Sequence, residues 1–183
     1  MTTTNLHTAP DLAFTNADGA EIHLSDFWES APNGIVLVFL RHFGCIFCRD
    51  HSTQLREHYA EFQDRGWQVV AIGQGTPARA AKFRADNDLP YPILGDRSLD
   101  SYRAYGLTHG GMGGLLQPKS WPAGVRSMLH GHRPGRPDGG DINQNPGTFL
   151  IDGSGRIHRA RIGQHAGDFP SAREILGWID SQN

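Results

Sequence analysis

The feature that most limits how this chain can fold is an uninterrupted apolar run, Ile35 to Leu40, opened by Pro32-Asn33-Gly34 and closed by Arg41. Such a β-branched run between turn residues reads as a strand buried on both faces, the pattern of a sheet covered on each side by helices. Both cysteines of the chain follow it at once, as Cys45-Ile46-Phe47-Cys48. From Cys48 onward Leu55, Tyr59 and Phe62 recur at helical spacing, predicting a helix that starts near Cys45 and stops before Gly66. The C-x-x-C pair is thus expected at a helix N-terminus directly after a buried strand.

The remaining segments suit the same architecture. "DLAFTNADGAEIHLSDFW" alternates around Asp18-Gly19 and predicts a hairpin, an edge ornament outside the core, followed by a short helical turn from Ser25. "WQVVAIG" predicts a strand, Thr76-Pro77 an N-cap with proline at the first helical position, and "ARAAKFRAD" a helix. "YPILGD" predicts a short strand and "SLDSYRAYG" a helix ending at Gly106. "GTFLIDGSGRIHRARIG" reads as two strands about Asp152-Gly153-Ser154-Gly155, a turn rather than a calcium loop, and "FPSAREILGWID" as a closing amphipathic helix with Ile175, Leu176 and Ile179 inward. Between Gly106 and Gly147, eleven glycines and five prolines leave only "VRSMLHG" regular, so residues 107–146 are expected to be an irregular loop or lid. His109, His130 and His132 in it read as solvated, while Trp121 and Met128 are equally candidates for a substrate mouth and for ordinary packing.

Charge and length narrow the function classes. Seventeen basic against nineteen acidic residues give a net charge of −2, with no basic face, which argues against nucleic acid and membrane surfaces as partners. The first residues carry no basic head or apolar run of secretory length, so the expected location is the cytoplasm, and 183 residues without repeats suggest one domain over 1–183. In a reducing compartment a C-x-x-C is more often catalytic or metal-binding than structural. "GLTHGGMGG" lacks the strand and helix that a dinucleotide fingerprint needs, so no bound cofactor is expected.

Three uses of the pair compete. His42, Cys45, Cys48 and His51 form an H-x-x-C-x-x-C-x-x-H string, yet residues nine apart on a helix lie about 13 Å apart along its axis, too far to share one zinc ion. Both histidines are therefore expected to be ordinary, partly exposed side chains. Two cysteines packed as small apolar groups are a second possibility. The third is a redox pair. Helix N-termini favour an anion by up to about 2 kcal/mol, which favours a thiolate there, and Arg41 and Arg49 flank the site.

"APDLAF", "LVFLRHFGCIFC", "LPYPILGD" and "NPGTFLIDGSGRI" together resemble the thioredoxin-fold AhpC/TSA, or peroxiredoxin-like, family over roughly Ala9 to Asp180. "RHFGCIFCR" is similar to the active-site segment of the group that includes prostamide/prostaglandin F synthase. The resemblance implies a thioredoxin-like three-layer α/β sandwich with an N-terminal β-hairpin and a long Gly-rich insertion. It also implies thiol-dependent reduction of a hydroperoxide or endoperoxide, with re-reduction by a thioredoxin-type dithiol. A general protein thiol-disulfide oxidoreductase and a non-catalytic partner-binding protein are the alternatives. The residues it marks are Cys45, Cys48, Arg41 and Pro146. In a peroxiredoxin alignment Cys48 stands where the peroxide is attacked and Cys45 replaces a threonine; in a thioredoxin alignment Cys45 attacks and Cys48 resolves. A proline and an arginine of the peroxide pocket are replaced by Arg41 and Pro146, and Asn145-Pro146 is expected to be cis, as in thioredoxins.

Overall fold

The computed structural model describes residues 7–107 and 141–182. In these, β1 (Ala13–Thr15) and β2 (Glu21–His23) form a hairpin that leads into α1 (Leu24–Ser30). Then come β3 (Gly34–Phe39), α2 (Ile46–Glu57), α3 (Tyr59–Asp64), β4 (Trp67–Gln74), α4 (Pro77–Asp86), β5 (Ile93–Asp96) and α5 (Asp100–Ala104). β6 (Gly147–Asp152), β7 (Ile157–Ile162) and α6 (Ala172–Asp180) complete the described residues. The main sheet has the order β5-β4-β3-β6-β7, with β3, β4 and β5 parallel and β6 and β7 antiparallel to their neighbours.

β3 is the central strand, and alternation along it builds two cores. Val36 and Val38, with Leu40 just beyond, face a cluster formed with Leu55, Phe62, Phe83, Ile175 and Leu176, so α2, α3, α4 and α6 cover that side. Ile35, Leu37 and Phe39 face the opposite cluster with Leu24, Trp28, Tyr102, Tyr105 and Phe149, covered by α1 and α5. Burying each such side chain is worth about 1.5–3 kcal/mol, so a helix on each face stabilises a strand that is apolar throughout. This is the expected three-layer α/β sandwich. Gly34 opens β3 at φ +127°, where a Cβ would stand 2.1 Å from the Ile151 carbonyl oxygen. Only glycine lets β3 and β6 pair that closely at this point.

Two expectations about elements need correction. The hairpin and α1 are part of the core, because Phe14, Leu24 and Trp28 are all buried. The helix expected from Cys45 to Gly66 is two helices, interrupted at His58, whose ring Nδ1 lies 3.1 Å from the Gln54 carbonyl that its own backbone N–H also reaches. His109, Trp121, Met128, His130, His132 and the regular stretch "VRSMLHG" lie outside the described residues, as does most of the 107–146 lid. The end of that segment, 141–146, is described, and its carbonyls hold Arg41, the residue beside the cysteine pair.

Candidate active site

β3 delivers Leu40 and Arg41 to one end of the sheet, and a short loop through His42, Phe43 and Gly44 turns the chain into α2. Phe43 fixes that loop by lying over Gly73, where a Cβ would meet its ring at 2.3 Å, and by packing 5.1 Å from Phe83. Cys45 is the N-cap of α2: its N–H donates to the His42 carbonyl at 3.1 Å, and its carbonyl accepts the first helical bond, from Arg49 N–H, at 3.1 Å. Cys48 follows in the first turn. Both are free thiols, Cys45 at 5% exposure and Cys48 fully buried beneath it.

Arg41 touches both sulfurs. Its backbone N–H donates to Cys48 Sγ at 3.2 Å, and its guanidinium Nη1 to Cys45 Sγ at 3.6 Å. The rest of the guanidinium is held by the carbonyls of Gln144, from Nε at 3.0 Å, and Ile142, from Nη2. An ion fixed this way in a buried site acts through a low local dielectric and is worth more than one in water.

The two sulfurs are driven apart in acidity. A hydrogen bond from the Cys48 thiol lowers Cys45 against the opposing effect of burial, and the Arg41 charge and the Cys48 and Phe47 amides lower it further, to about 6. Burial pushes Cys48 well above the ordinary thiol range, as do its hydrogen bond to Cys45 and the Cys45 charge, against the pull of Arg41. Within the pair, negative charge is therefore favoured on Cys45 over Cys48.

Sequence reading missed the supports of this arrangement. Gln74, at the end of β4, pairs its amide with the backbone of Asp141, accepting from Asp141 N–H at 2.6 Å and donating to its carbonyl at 3.0 Å. Gln144 is buried, and its amide donates to the Leu107 carbonyl at 3.3 Å, tying the two described flanks of 108–140 together. A lone glutamine carries no motif, so nothing in the sequence marks either.

Three other expectations change. His42 and His51 are buried, at 7% and 2% exposure, because His42 sits in the turn under α2 and His51 stacks on Phe169 at 4.3 Å. Burial, and then the Arg41 charge, lower His42 to about 4, so its ring is neutral at pH 7. Asn145-Pro146 is trans, not cis. Pro146 packs on Gly163, where a Cβ would stand 2.7 Å from its ring, and its carbonyl accepts from Gly163 N–H at 2.8 Å. What reaches the cysteines from this segment is Gln144 and Ile142, through Arg41. Among the described residues no cluster of three or more histidine, cysteine or acidic side chains could hold a metal ion, and no helix is long and apolar enough to cross a membrane.

A model of the AhpC/TSA family matches residues 6–160. The chain is 29% identical over 168 residues to the thioredoxin-like protein AAED1, chloroplastic, of Arabidopsis thaliana, covering 86% of this chain and 66% of that one. It is 30% identical over 103 residues to the thiol-disulfide oxidoreductase ResA of Geobacillus thermodenitrificans, covering 55% and 56% of the two. Each of these matches spans less than two thirds of the relative's length. Alkyl hydroperoxide reductase E of Mycobacterium tuberculosis is 25% identical over 174 residues, 95% of this chain and 92% of that one. Peroxidoxin BcpB of Mycobacterium tuberculosis superposes with a TM-score of 0.69 at 18% identity over 96% of each chain, which shows a shared thioredoxin-like fold.

Proposed function

Because the chain belongs to the AhpC/TSA family of peroxiredoxin-like oxidoreductases, we propose that it reduces a peroxide-type bond through Cys45 and Cys48 and is re-reduced by an external dithiol of the thioredoxin type. The observation that carries this reading is the split in environment within the pair: Cys45 caps α2 with Arg41 Nη1 3.6 Å from its Sγ, which favours negative charge there, while Cys48 lies fully buried beneath it, which disfavours it. That split favours the thioredoxin order, in which Cys45 attacks, over the peroxiredoxin alignment that puts Cys48 first.

The cycle balances on these groups. The Cys45 thiolate attacks one peroxide oxygen, giving a sulfenic acid and an alkoxide that takes up a proton. Cys48, deprotonated, attacks the Cys45 sulfur, the S–S bond closes and water leaves. A donor dithiol then returns two electrons: one thiolate attacks Cys45 and expels Cys48, and the second attacks the first donor sulfur, releasing Cys45 as the donor's own disulfide closes. Arg41 is the electrostatic partner of Cys45 throughout. Pro146 has a supporting role: its fixed φ orders the 141–146 turn whose carbonyls hold the guanidinium.

A hydroperoxide is the substrate favoured by the likeness to alkyl hydroperoxide reductase E, and an endoperoxide is the alternative from the similarity of "RHFGCIFCR". The reading places the protein in the cytoplasm, where a dithiol donor is maintained. Turnover of hydrogen peroxide and cumene hydroperoxide, coupled to NADPH through thioredoxin and thioredoxin reductase, tests it, with insulin disulfides as the competing substrate. NADPH consumption with a hydroperoxide that Cys45→Ser abolishes is expected. Reduction of insulin alone would make the protein a general disulfide oxidoreductase, and thiols that never interconvert with a disulfide would make it a non-catalytic binding protein.

A further inference from the structure

The Leu40–Arg41 peptide is engaged from opposite faces of the sheet. On the α2 side its N–H donates to Cys48 Sγ at 3.2 Å. On the other side its carbonyl accepts from the Tyr102 hydroxyl at 2.5 Å. Tyr102 sits on α5, fully buried, with its ring edge-on to Phe39 at 5.1 Å. Asp96 anchors the start of α5 by accepting from the amides of Leu99 and Ser101 and from the Ser101 hydroxyl. The Tyr102 hydroxyl also lies 3.3 Å from the Ile72 carbonyl, which accepts from Leu40 N–H at 2.7 Å. A peptide is conjugated, so a donor on its oxygen draws density from its nitrogen and strengthens the N–H as a donor in turn.

We propose that Tyr102 is a positioning residue for the redox pair, acting through the Leu40–Arg41 peptide to orient and strengthen the N–H that holds negative charge on Cys48 Sγ. This rests on the reading that Cys45 attacks and Cys48 resolves. When Cys45 is a sulfenic acid, Cys48 gives up its proton, its thiolate attacks Cys45 Sγ, the new S–S bond forms and the sulfenic hydroxyl leaves, protonated to water. In re-reduction the donor thiolate attacks Cys45 Sγ and Cys48 departs with the electron pair. Charge develops on Cys48 Sγ in both directions, where the peptide N–H points. Among the described residues the titratable groups acting on Cys48 are Cys45, Arg41 and, from α5, Tyr102. α6 presents Ala172, Ile175 and Leu176 to this core, so no charge from that helix competes.

The test uses 5,5′-dithiobis(2-nitrobenzoate) with the full chain. Attack by Cys45 releases one thionitrobenzoate, and attack by Cys48 on the resulting mixed disulfide releases a second. In Tyr102→Phe the second phase is expected to slow about threefold at neutral pH, with its pH midpoint raised by about half a unit, while the first phase keeps its rate. Tyr105→Phe is the control, since that side chain is also buried, on the chain segment closing α5, but its part-buried hydroxyl donates to the Pro10 carbonyl at 3.0 Å, away from the cysteines. Should Tyr102→Phe not fold, 3-fluorotyrosine at 102 keeps the shape and makes the hydroxyl a stronger donor, and the second phase is expected to quicken. An unchanged second phase in a folded Tyr102→Phe or in the fluorotyrosine protein overturns the proposal, as does equal slowing in Tyr105→Phe. Absence of a second phase in the unsubstituted protein would overturn the resolving role of Cys48 itself, a failure distinct from that of Tyr102.

Discussion

Arg41 Nη1 lies 3.6 Å from Cys45 Sγ, while the carbonyls of Gln144 and Ile142 occupy the remaining reach of the same guanidinium. The cation is therefore fixed in place before any substrate arrives, and its field costs no rearrangement when negative charge forms on the sulfur. Because the fixing carbonyls come from residues a hundred positions away in sequence, the place of the cation beside Cys45 depends on the end of the 107–146 segment.

Cys45→Ser is expected to abolish reaction with one equivalent of hydroperoxide. Cys48→Ser should complete a single turnover and stop as the sulfenic acid or a mixed disulfide with the donor thiol. Intact mass of the two single variants distinguishes these species. If Cys48→Ser were the unreactive variant, the attacking order would be that of the peroxiredoxin alignment.

Arg41→Met removes the cation and frees the 141–146 turn. The midpoint of Cys45 alkylation by iodoacetamide should rise from about 6 in the unsubstituted protein by roughly one unit. Arg41→Lys keeps the charge but not the planar fork that spans two carbonyls and a sulfur, so an intermediate midpoint is expected. A midpoint unmoved in Arg41→Met would leave the Cys48 hydrogen bond and the helix terminus as sufficient causes.

His42 is lowered from 6.5 to about 4 in the folded chain, and its Nδ1 has no hydrogen-bond partner among the described residues. A depressed folded pKa means that the unfolded chain binds the proton first on acidification. The stability contribution is fully present above pH 6.5 and is lost as pH falls toward 4, by about 3 kcal/mol at most. His42→Phe is expected to flatten urea-unfolding stability over that window. A slope equal to that of the unsubstituted protein would assign acid sensitivity to other groups.

Gln74→Ala deletes the reciprocal hydrogen bonds to the Asp141 backbone at a buried position, which is expected to cost about 1–3 kcal/mol. Since Asp141 lies just before the Arg41 carbonyls, hydrogen exchange at 141–146 should rise more than exchange in β3. Gln74→Glu keeps the acceptor but turns a carboxylate oxygen on the Asp141 carbonyl at a buried position, so a loss at least as large is expected. Equal exchange in both segments would mean that Arg41 alone fixes the turn.

The sequence alone determined the strand, the helix start and the placement of both cysteines at their junction, because these follow from local pattern: an apolar run, turn residues and helical periodicity within a few neighbours. Arg41 was legible as a cation flanking the pair, and Pro146 only as a candidate through likeness to a family. The split in acidity between Cys45 and Cys48 was not legible, since two like residues three apart differ only in what buries them and which N–H groups point at them. The tertiary structure decided that, and likewise the burial of His42 and His51 and the trans bond before Pro146. Gln74, Gln144 and Tyr102 were invisible for the same reason. Each acts on a backbone group that lies tens of residues away, and sequence pattern reports the periodicity of a segment, not the partner across the fold that satisfies its polar atoms.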